Sequence, residues 1–361
     1  MKRTMCIFLL VLAPALLFSA GMTEEQTDTV TVTDGLSREV QFSRNPQRIV
    51  LAGRANLFLT NAVYLFEDAS SRVKALAQTD QGLGDSFVYL DSSHEKKTRL
   101  SNQAGAEEIA ALRPDLVILK DSMYPRLGDQ LEALSIPVLT LGLESYEEYI
   151  RDISLLGEVF EDPDRAGQIT SYFTDIIEHT AQIAAQASEK PSVLMLYYVQ
   201  REGAAAFHIP PPDWIQTFMT ETAGGRAVWT DRHTGSGWQV VNFEQIAQWD
   251  PDMVFLISYA VPSSVVKKVV EDSLLWRNLR AFQNGHVLPF PGDFHSWAQS
   301  DIRWFLGIQW LAKQLHPDLF PDTDMHELTV SFYRDLYGIP EETVQRLFMP
   351  RLKEELSGIS R

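Results

Sequence analysis

Short apolar runs alternate with helical patterns along most of the chain. In the first half, apolar runs of strand length lie at 48–51, 72–77, 115–119 and 137–141, and helical periodicity separates them near 55–66, 105–112, 124–134 and 145–160. Strands that are apolar on both faces and alternate with helices are typical of a parallel sheet covered by helices on both sides. The first half therefore predicts an α/β lobe.

The same alternation starts again after residue 191. Strand-like runs lie at 192–198, 252–257 and 286–290, with helical patterns near 213–222, 243–249, 263–280 and 300–315 and a helical extension over 321–361. This pattern predicts a second lobe with a parallel sheet. Near the start of the chain, Asp34-Gly35 between two alternating runs predicts a hairpin with a two-residue type I′ turn.

A long helix is predicted between the two halves. Asp162 is a suitable N-cap and Pro163 a suitable first helical residue. At ~1.5 Å per residue, about 25 residues make a rod of roughly 37 Å. We therefore expect an α/β protein of two lobes joined by one long helix, with a ligand cleft between the lobes. The alternative is that this helix is only the last helix of the first lobe.

The first 22 residues have the layout of a secretory signal. Two basic residues at 2–3 precede an apolar run at 7–18 and small residues at 19–21. This order is typical of a cleavable signal peptide, with the cut expected after Ala20 or Gly21. The alternative is a membrane anchor, which would need about 20 apolar residues. The expected division is a signal peptide over 1–22, a first lobe over 23–161, a linking helix over 162–188 and a second lobe with its helical extension over 189–361.

Composition and charge exclude several classes of protein. Of the 361 residues, 45% are hydrophobic and 22% are charged, which excludes disordered and collagen-like chains. The formal net charge is −17 and no basic stripe is present, so we expect no nucleic-acid partner. The single cysteine, Cys6, lies in the leader. A mature chain without cysteine has no disulfide, zinc-thiolate or iron–sulfur site.

Two related motifs lie in equivalent places of the two halves. Residues 106–118 read AEEIAALRPDLVI, and residues 238–252 carry a second string, WQVVNFEQIAQWDPD. Further matching segments lie at 33–50, 310–320 and 332–338. In this order they resemble the substrate-binding proteins of ABC importers for iron chelates and vitamin B12. The resemblance covers nearly the whole mature chain and implies a periplasmic, two-lobed, helix-hinged binding protein without catalysis.

The ligand site is expected where the loops that follow the strands of both lobes meet. In open α/β sheets, ligands bind beyond the carboxyl ends of the strands. Aromatic side chains offer apolar contact to a ligand, and arginine offers charge-assisted hydrogen bonds. The predicted ligand-binding residues are Arg54, Tyr124, Tyr198, Trp238, Tyr259, His295 and Trp297.

Several of these residues have a structural alternative. One of Tyr197 and Tyr198 points into the sheet and belongs to the core. The alternative for Arg54 is a solvated charge. Trp238 is favoured as a ligand contact because the resembling B12-binding proteins place a Trp against the corrin at this position. Trp304 and Trp310 lie at helical spacing on the last long helix and are predicted to be core residues.

The resemblance implies a ferric siderophore or a similar iron chelate as the preferred ligand. A corrinoid, haem or a molybdate-type oxyanion are the alternatives, because related proteins share the scaffold. His208, His233 and His295 are predicted on loops of the second half and could ligate a metal, but no tight metal motif supports a protein–metal bond. We expect no intrinsic cofactor and no metal site.

Glu107 and Glu244 occupy the same place in the two motifs, each at the start of a short predicted helix. In the family that the chain resembles, these glutamates dock the lobes onto arginine pockets of the permease subunits. The resemblance thus implies as partners an ABC permease homodimer in the inner membrane with its ATPase subunits, and a monomeric binding protein. The alternative is that both residues only favour the helix dipole, worth ~0.3–1 kcal/mol each.

Catalysis is not expected. The chain has no Walker-type phosphate loop and no Gly-x-Ser-x-Gly elbow. Asp121 and Asp293 could face each other across a cleft, as the two carboxylates of a glycosidase do. A secreted hydrolase is therefore a remote alternative. Another is an adhesin or scaffold that has the same fold but binds no small molecule.

Overall fold

The chain was analysed as a computed structural model that describes residues 28–78, 81, 83–201 and 204–356. The predicted signal peptide lies outside these residues. The described part begins with the predicted antiparallel hairpin, formed by β1 (Thr29–Thr33) and β2 (Glu39–Ser43). Its loop spans 34–38, so the predicted two-residue turn is wrong. The Asp34 carboxylate accepts the backbone N–H groups of Leu36 and Arg38 and thereby holds the longer loop.

The first lobe contains the predicted parallel sheet, in the strand order β5-β4-β3-β6-β7. Its strands are β3 (Ile49–Ala52), β4 (Val73–Ala77), β5 (Thr98–Leu100), β6 (Leu116–Lys120) and β7 (Val138–Leu141). Strands β3, β6 and β7 are buried at every position, because helices cover both faces of the sheet. The short edge strand β5 contains Thr98 and Arg99, so the apolar pattern does not reveal it.

The helices of the first lobe follow the strands as the α/β alternation requires. They are α1 (Asn56–Val63), α2 (Ala69–Arg72), α3 (Phe87–Leu90), α4 (Ala106–Ala110), α5 (Tyr124–Ala133) and α6 (Tyr146–Phe160). Two 3-10 turns, His94–Lys96 and Asp121–Met123, precede β5 and α5.

The predicted long helix is α7 (Pro163–Ala184). The side chain of Asp162 accepts the N–H of Arg165 at 3.0 Å, and Pro163 is the first helical residue. Helix α7 packs closely on α6, because a Cβ at Gly157 of α6 would lie 2.6 Å from the Cβ of Ala166. The connection between the two sheets is therefore a rigid element that is anchored to the first lobe.

The sheet of the second lobe has the order β11-β9-β8-β12-β13, with β10 beside β8. Its strands are β8 (Ser192–Arg201), β9 (Ala204–Ile209), β10 (Arg226–Ala227), β11 (Gln239–Val241), β12 (Met253–Ile257) and β13 (Val287–Pro289). Strands β8, β12 and β13 are parallel as predicted, but β9 and β11 run antiparallel to their neighbours. This sheet is mixed because β8 continues beyond its apolar run, and its second half pairs antiparallel with β9, from the pair Tyr197 and His208 to the pair Arg201 and Ala204.

Helices cover the second sheet and continue into the C-terminal extension. They are α8 (Ile215–Thr222), α9 (Phe243–Trp249), α10 (Ser263–Glu271), α11 (Arg280–Gln283), α12 (Trp304–Leu315), α13 (Met325–Tyr337), α14 (Glu341–Thr343) and α15 (Met349–Leu356), with 3-10 turns at Thr230–Arg232 and Leu274–Asn278 and a π-helical turn at Val344–Phe348. Trp304 and Trp310 of α12 are fully buried, as predicted. Within the described ranges, no helix has both the length and the apolar character needed to span a membrane.

Candidate functional site

The chain between β13 and α12 fills the space between the lobes. We call residues 293–303 the floor segment; every one of them is buried. Its Gln299 exchanges two amide hydrogen bonds with Gln81 of the first lobe, at 2.6 and 3.2 Å. The hydroxyl of its Ser300 donates to Glu144, also of the first lobe. The floor segment therefore closes the bottom of the cleft between the two sheets.

A buried ionic network fixes the floor segment. The guanidinium of Arg303 is fully buried and lies 2.9 Å from Asp301 and 3.1 Å from Asp293. It also donates to Asn61 and Ser86 of the first lobe, at 3.2 Å each. Burial alone would lower the pKa of Arg303. The neighbouring acidic groups raise this pKa by more than burial lowers it, so it lies well above its usual value. Arg303 thus stays charged and links both lobes.

Partly exposed aromatic rings form one wall of the cleft, on the second lobe. The ring of Tyr197 lies 4.8 Å from that of Trp238, 4.5 Å from that of Tyr259 and 5.9 Å from that of His208. Trp214 packs edge-on against Trp238 at 5.7 Å. These five residues are the aromatic wall. Apolar ring faces with polar edges suit a ligand that is partly flat or greasy and partly polar.

The topology explains why these rings meet. Tyr197 lies in the second half of β8, and Tyr259 is the second residue after the neighbouring parallel strand β12. His208 is paired with Tyr197 across the β8–β9 ladder, so both side chains lie on one face of the sheet. Trp238 directly precedes β11, the next strand beyond β9. The antiparallel strands that the sequence did not predict therefore complete the wall.

Tyr259 carries a neutral hydroxyl in this wall. Burial, followed by the nearby Tyr197 and Glu144, raises the pKa of Tyr259 well above its usual value. Its hydroxyl lies 3.5 Å from the carbonyl of Ala298 in the floor segment and also interacts with the side chain of Gln216. A neutral phenol can donate a hydrogen bond to an acceptor atom of a ligand.

Arg54 lies at the carboxyl edge of the first sheet. It sits between Gly53 and Ala55, which both have positive φ angles of 86° and 57°, in the tight loop from β3 to α1. The side chain is exposed and forms no ion pair with any residue that the structure describes. Arg54 can therefore offer a charge-assisted hydrogen bond to an anionic group.

Four predicted ligand-binding residues lie in other surroundings. Tyr124 packs under the guanidinium of Arg38 at 3.8 Å, and its hydroxyl donates to Glu132 along its own helix. Tyr198 is on the opposite face of β8 from Tyr197 and contacts Phe207. Their rings are thus held by the packing of their own lobes.

His295 and Trp297 belong to the floor segment and are fully buried. The Nε2 atom of His295 lies 3.2 Å from the hydroxyl of Ser86, and burial lowers its pKa well below the usual value. The indole N–H of Trp297 donates to Asp293 at 3.2 Å. Both side chains support the floor beneath the cleft.

The predicted ligand-binding set does not contain Tyr197, His208, Trp214 or Glu144. His208 is predicted on a loop, but it lies within β9. Tyr197 and Tyr198 are neighbours in β8, so their side chains point to opposite faces of the sheet. Which of the two faces the ligand site is settled only when the strand that pairs with β8 is known. Glu144 could have been found from the sequence, because it lies three residues after the predicted strand β7. Residues that follow the carboxyl ends of strands lie at the edge of the sheet where ligands bind. Within the described ranges, no group of three His, Cys, Asp or Glu residues could hold a metal ion.

Glu107 and Glu244 lie at equivalent places in the two lobes. Each is the second residue of a short helix, α4 or α9, that precedes a buried strand. Both side chains are exposed and form no ion pair with the residues described. Helices that lead into parallel strands start at the carboxyl edge of the sheet, so both glutamates lie on the side where the cleft opens.

Comparison with known proteins identifies the family. Residues 63–293, which include most of both sheets, match the family described as periplasmic binding protein. The chain belongs to this periplasmic binding protein family. A family of binding proteins has no catalytic step, so the prediction of a non-enzymatic protein is confirmed.

Several members of the family are similar over most of their length. The molybdate-binding protein MolA of Haemophilus influenzae is 25% identical over 85% of this chain and 90% of its own. The vitamin B12-binding protein of Yersinia pestis is 23% identical over 55% of this chain and 74% of its own. A solved periplasmic solute-binding protein from Veillonella parvula superposes with a TM-score of 0.72 at 21% identity, covering 91% of this chain and 99% of that one.

MolA bound to molybdate superposes with a TM-score of 0.71 at 21% identity, covering 86% of this periplasmic binding protein and 98% of MolA. That structure is described as the cognate molybdate-binding protein of an ABC transporter. These likenesses confirm the predicted two-lobed α/β fold.

Proposed function

We propose that this periplasmic binding protein is the substrate-binding component of an ABC importer and captures a metal chelate, preferably an iron chelate of siderophore type. The supporting observations are the aromatic wall in the second lobe and the exposed Arg54, which forms no described ion pair, at the carboxyl edge of the first sheet. Ring faces provide contact area that a chelate can use and a bare oxyanion cannot. Arg54 suits the negative charge that such chelates carry.

A molybdate-type oxyanion is the second candidate. It is favoured by the similarity to MolA over 90% of that protein and by the neutral hydroxyl of Tyr259. The similarity to a vitamin B12-binding protein keeps a corrinoid among the alternatives, and haem remains a further one.

Titration of the purified mature protein with a panel tests this choice. The panel holds a ferric catecholate, a ferric hydroxamate, cyanocobalamin, haemin and molybdate, and binding is read by tryptophan fluorescence and calorimetry. The proposal expects submicromolar binding of one ferric chelate, without turnover. Tight binding of molybdate alone would contradict it in favour of the second candidate.

We propose further that Glu107 and Glu244 dock the two lobes onto an ABC permease homodimer in the inner membrane. Their equivalent places in α4 and α9 and their unpaired, exposed carboxylates support this role. Export by a cleavable leader and a monomeric state in the periplasm belong to the same proposal.

Stimulation of the importer's ATPase tests the docking role. The double variant Glu107→Ala and Glu244→Ala should keep fold and ligand affinity but lose stimulation. Glu108→Ala is the matched control, because Glu108 is the next residue in the first turn of α4 and is equally exposed. If the double variant stimulates the ATPase as well as this control does, the two glutamates only favour their helix dipoles.

A further inference from the structure

We propose that Glu144 selects the charge of the bound ligand by keeping the floor of the cleft closed to bare oxyanions. This inference rests on the proposed site between the lobes and adds which part of a ligand reaches the floor. Glu144 comes three residues after β7, at the carboxyl edge of the first sheet, and its side chain is 35% exposed. It is thus partly accessible to solvent while being held from two sides.

Each oxygen of Glu144 binds a different lobe. Its Oε1 atom lies 2.8 Å from the ammonium nitrogen of Lys120 in the first lobe, and its Oε2 atom accepts the hydroxyl of Ser300 in the second. Lys120 ends β6, is 1% exposed and also donates to the carbonyl of Gly142. A buried ammonium needs a counter-charge, and Glu144 supplies it. Lys120 is therefore not available to an anionic ligand.

Glu144 lies at the foot of the aromatic wall. Its partner Ser300 is two residues from Ala298, whose carbonyl accepts the amide of Gln216 at 2.8 Å and makes the long contact with the hydroxyl of Tyr259. The carboxylate of Glu144 and the phenol of Tyr259 are thus joined through three consecutive residues of the floor segment. A ligand that reaches the base of the wall meets the charge of Glu144.

This arrangement places charges of opposite sign in different parts of the cleft. The cation of Arg54 stands at the edge of the first lobe, and a carboxylate stands at the floor. A compact dianion on the floor would meet the partly exposed carboxylate of Glu144 and not the buried ammonium of Lys120, so it would be repelled. A chelate can turn an uncharged or hydrogen-bond-donating part to the floor and its anionic part to Arg54.

The variant Glu144→Gln removes the negative charge of Glu144 and keeps nearly the same side-chain shape, so it tests the effect of the charge alone. Glutamine has nearly the same shape and still accepts the Ser300 hydroxyl, but it leaves Lys120 without a counter-charge. With molybdate as the probe, calorimetry at low salt should show weak binding to the parent and at least about tenfold tighter binding to the variant. Glu147→Gln is the matched control, since Glu147 is exposed, nearby and makes no ion pair among the residues described.

A second variant tests whether the ammonium of Lys120 causes the tighter binding of molybdate to Glu144→Gln. Adding Lys120→Met to Glu144→Gln should return molybdate affinity to that of the parent, and thermal denaturation reports whether each variant is folded. Equal gains from Glu144→Gln and Glu147→Gln would overturn the proposal, because net charge alone would explain them. Tight binding of molybdate by the parent would overturn it without any variant. If the parent binds no chelate but Glu144→Gln still gains molybdate, the proposed function fails while the role of Glu144 stands.

Discussion

At the scale of single residues, Asp34 shows how one buried carboxylate joins distant parts of the chain. It is 1% exposed, accepts backbone and guanidinium groups of Arg38 and also accepts the backbone N–H and hydroxyl of Thr140 in β7. Burial raises its pKa, but the hydrogen bonds from Arg38 and Thr140 outweigh this, so the net pKa lies below the usual value. Asp34 thereby fastens the β1–β2 hairpin to the first sheet.

We expect Asp34→Asn to lower the free energy of unfolding by roughly 2–4 kcal/mol at pH 7. A carboxylate with a lowered folded pKa contributes its stability above the unfolded pKa of about 3.9 and loses it as the pH falls through the folded value. The difference between parent and variant in urea denaturation should therefore shrink as the pH falls below the unfolded pKa of about 3.9. An equal difference at pH 7 and at pH 3 would show that charge is not the cause.

Arg54 offers a second test at this scale. Arg54→Gln should weaken binding of an anionic chelate about tenfold, because a charge-assisted hydrogen bond is worth ~1.5–3 kcal/mol when it is desolvated. The loss should be smaller at high salt, where exposed charges are screened. Lys268→Gln makes an equal change of charge at an exposed position of α10 and is the control. Equal effects of the two variants would place Arg54 outside the site.

Tyr259 could be predicted at this scale, because it follows the end of β12, which the apolar pattern locates. Trp238 adjoins β11, which the pattern does not locate, and only the family resemblance indicates this residue. Tyr197 could not be predicted in this way. The choice between Tyr197 and Tyr198 depends on the pairing of β8 with β9, which places His208 beside Tyr197. Trp297 and His295 follow a predicted strand, β13, as Tyr259 follows β12, but Arg303 holds the floor segment in the junction between the lobes. No local pattern marks a loop that is buried by long-range ionic contacts.

At the scale of elements, capping and periodicity predicted α7, whereas β9 and β11 escaped prediction. Asp162 and Pro163 are local signals, so the start of α7 is readable from the sequence. Strand β9 reads Ala-Ala-Ala-Phe-His-Ile, and only its pairing with β8 makes it a strand. Strands β3, β4, β6 and β7 of the first sheet are predictable because they are mostly apolar on both faces, whereas β5 is not.

The α6–α7 contact yields a matched pair of glycine variants. Gly157→Ala should destabilise the protein by about 1–3 kcal/mol, because the new methyl would meet Ala166 at 2.6 Å. Gly167→Ala, on the exposed face of α7, meets nothing within 4 Å and should stabilise the protein by ~0.5–1 kcal/mol. Chemical denaturation of both variants measures this. Equal and small changes would mean that α6 and α7 are not tightly packed.

At the scale of the whole molecule, three connections limit how far the lobes can move. Helix α7 joins them, the Arg303 network ties the floor segment to Asn61 and Ser86, and Phe348 of the C-terminal extension contacts Tyr89 at 5.9 Å. We expect closure on ligand binding to be on the order of 10° or less, because bending a helix disrupts its hydrogen-bond ladder. Small-angle scattering with and without ligand tests this, and a large contraction would contradict a rigid connection.

The central claim is that a ligand binds between the lobes against the aromatic wall, and the affinity of Trp238→Ala for the ferric chelate that the parent binds tests it most directly. Loss of the Trp238 ring should cost roughly 1–3 kcal/mol, or about one to two decades in Kd. Trp249→Ala is the control, because Trp249 ends α9 in the same lobe and takes no part in the wall. The account predicts weaker binding by Trp238→Ala and unchanged binding by Trp249→Ala. Parent-like affinity of a folded Trp238→Ala would contradict it.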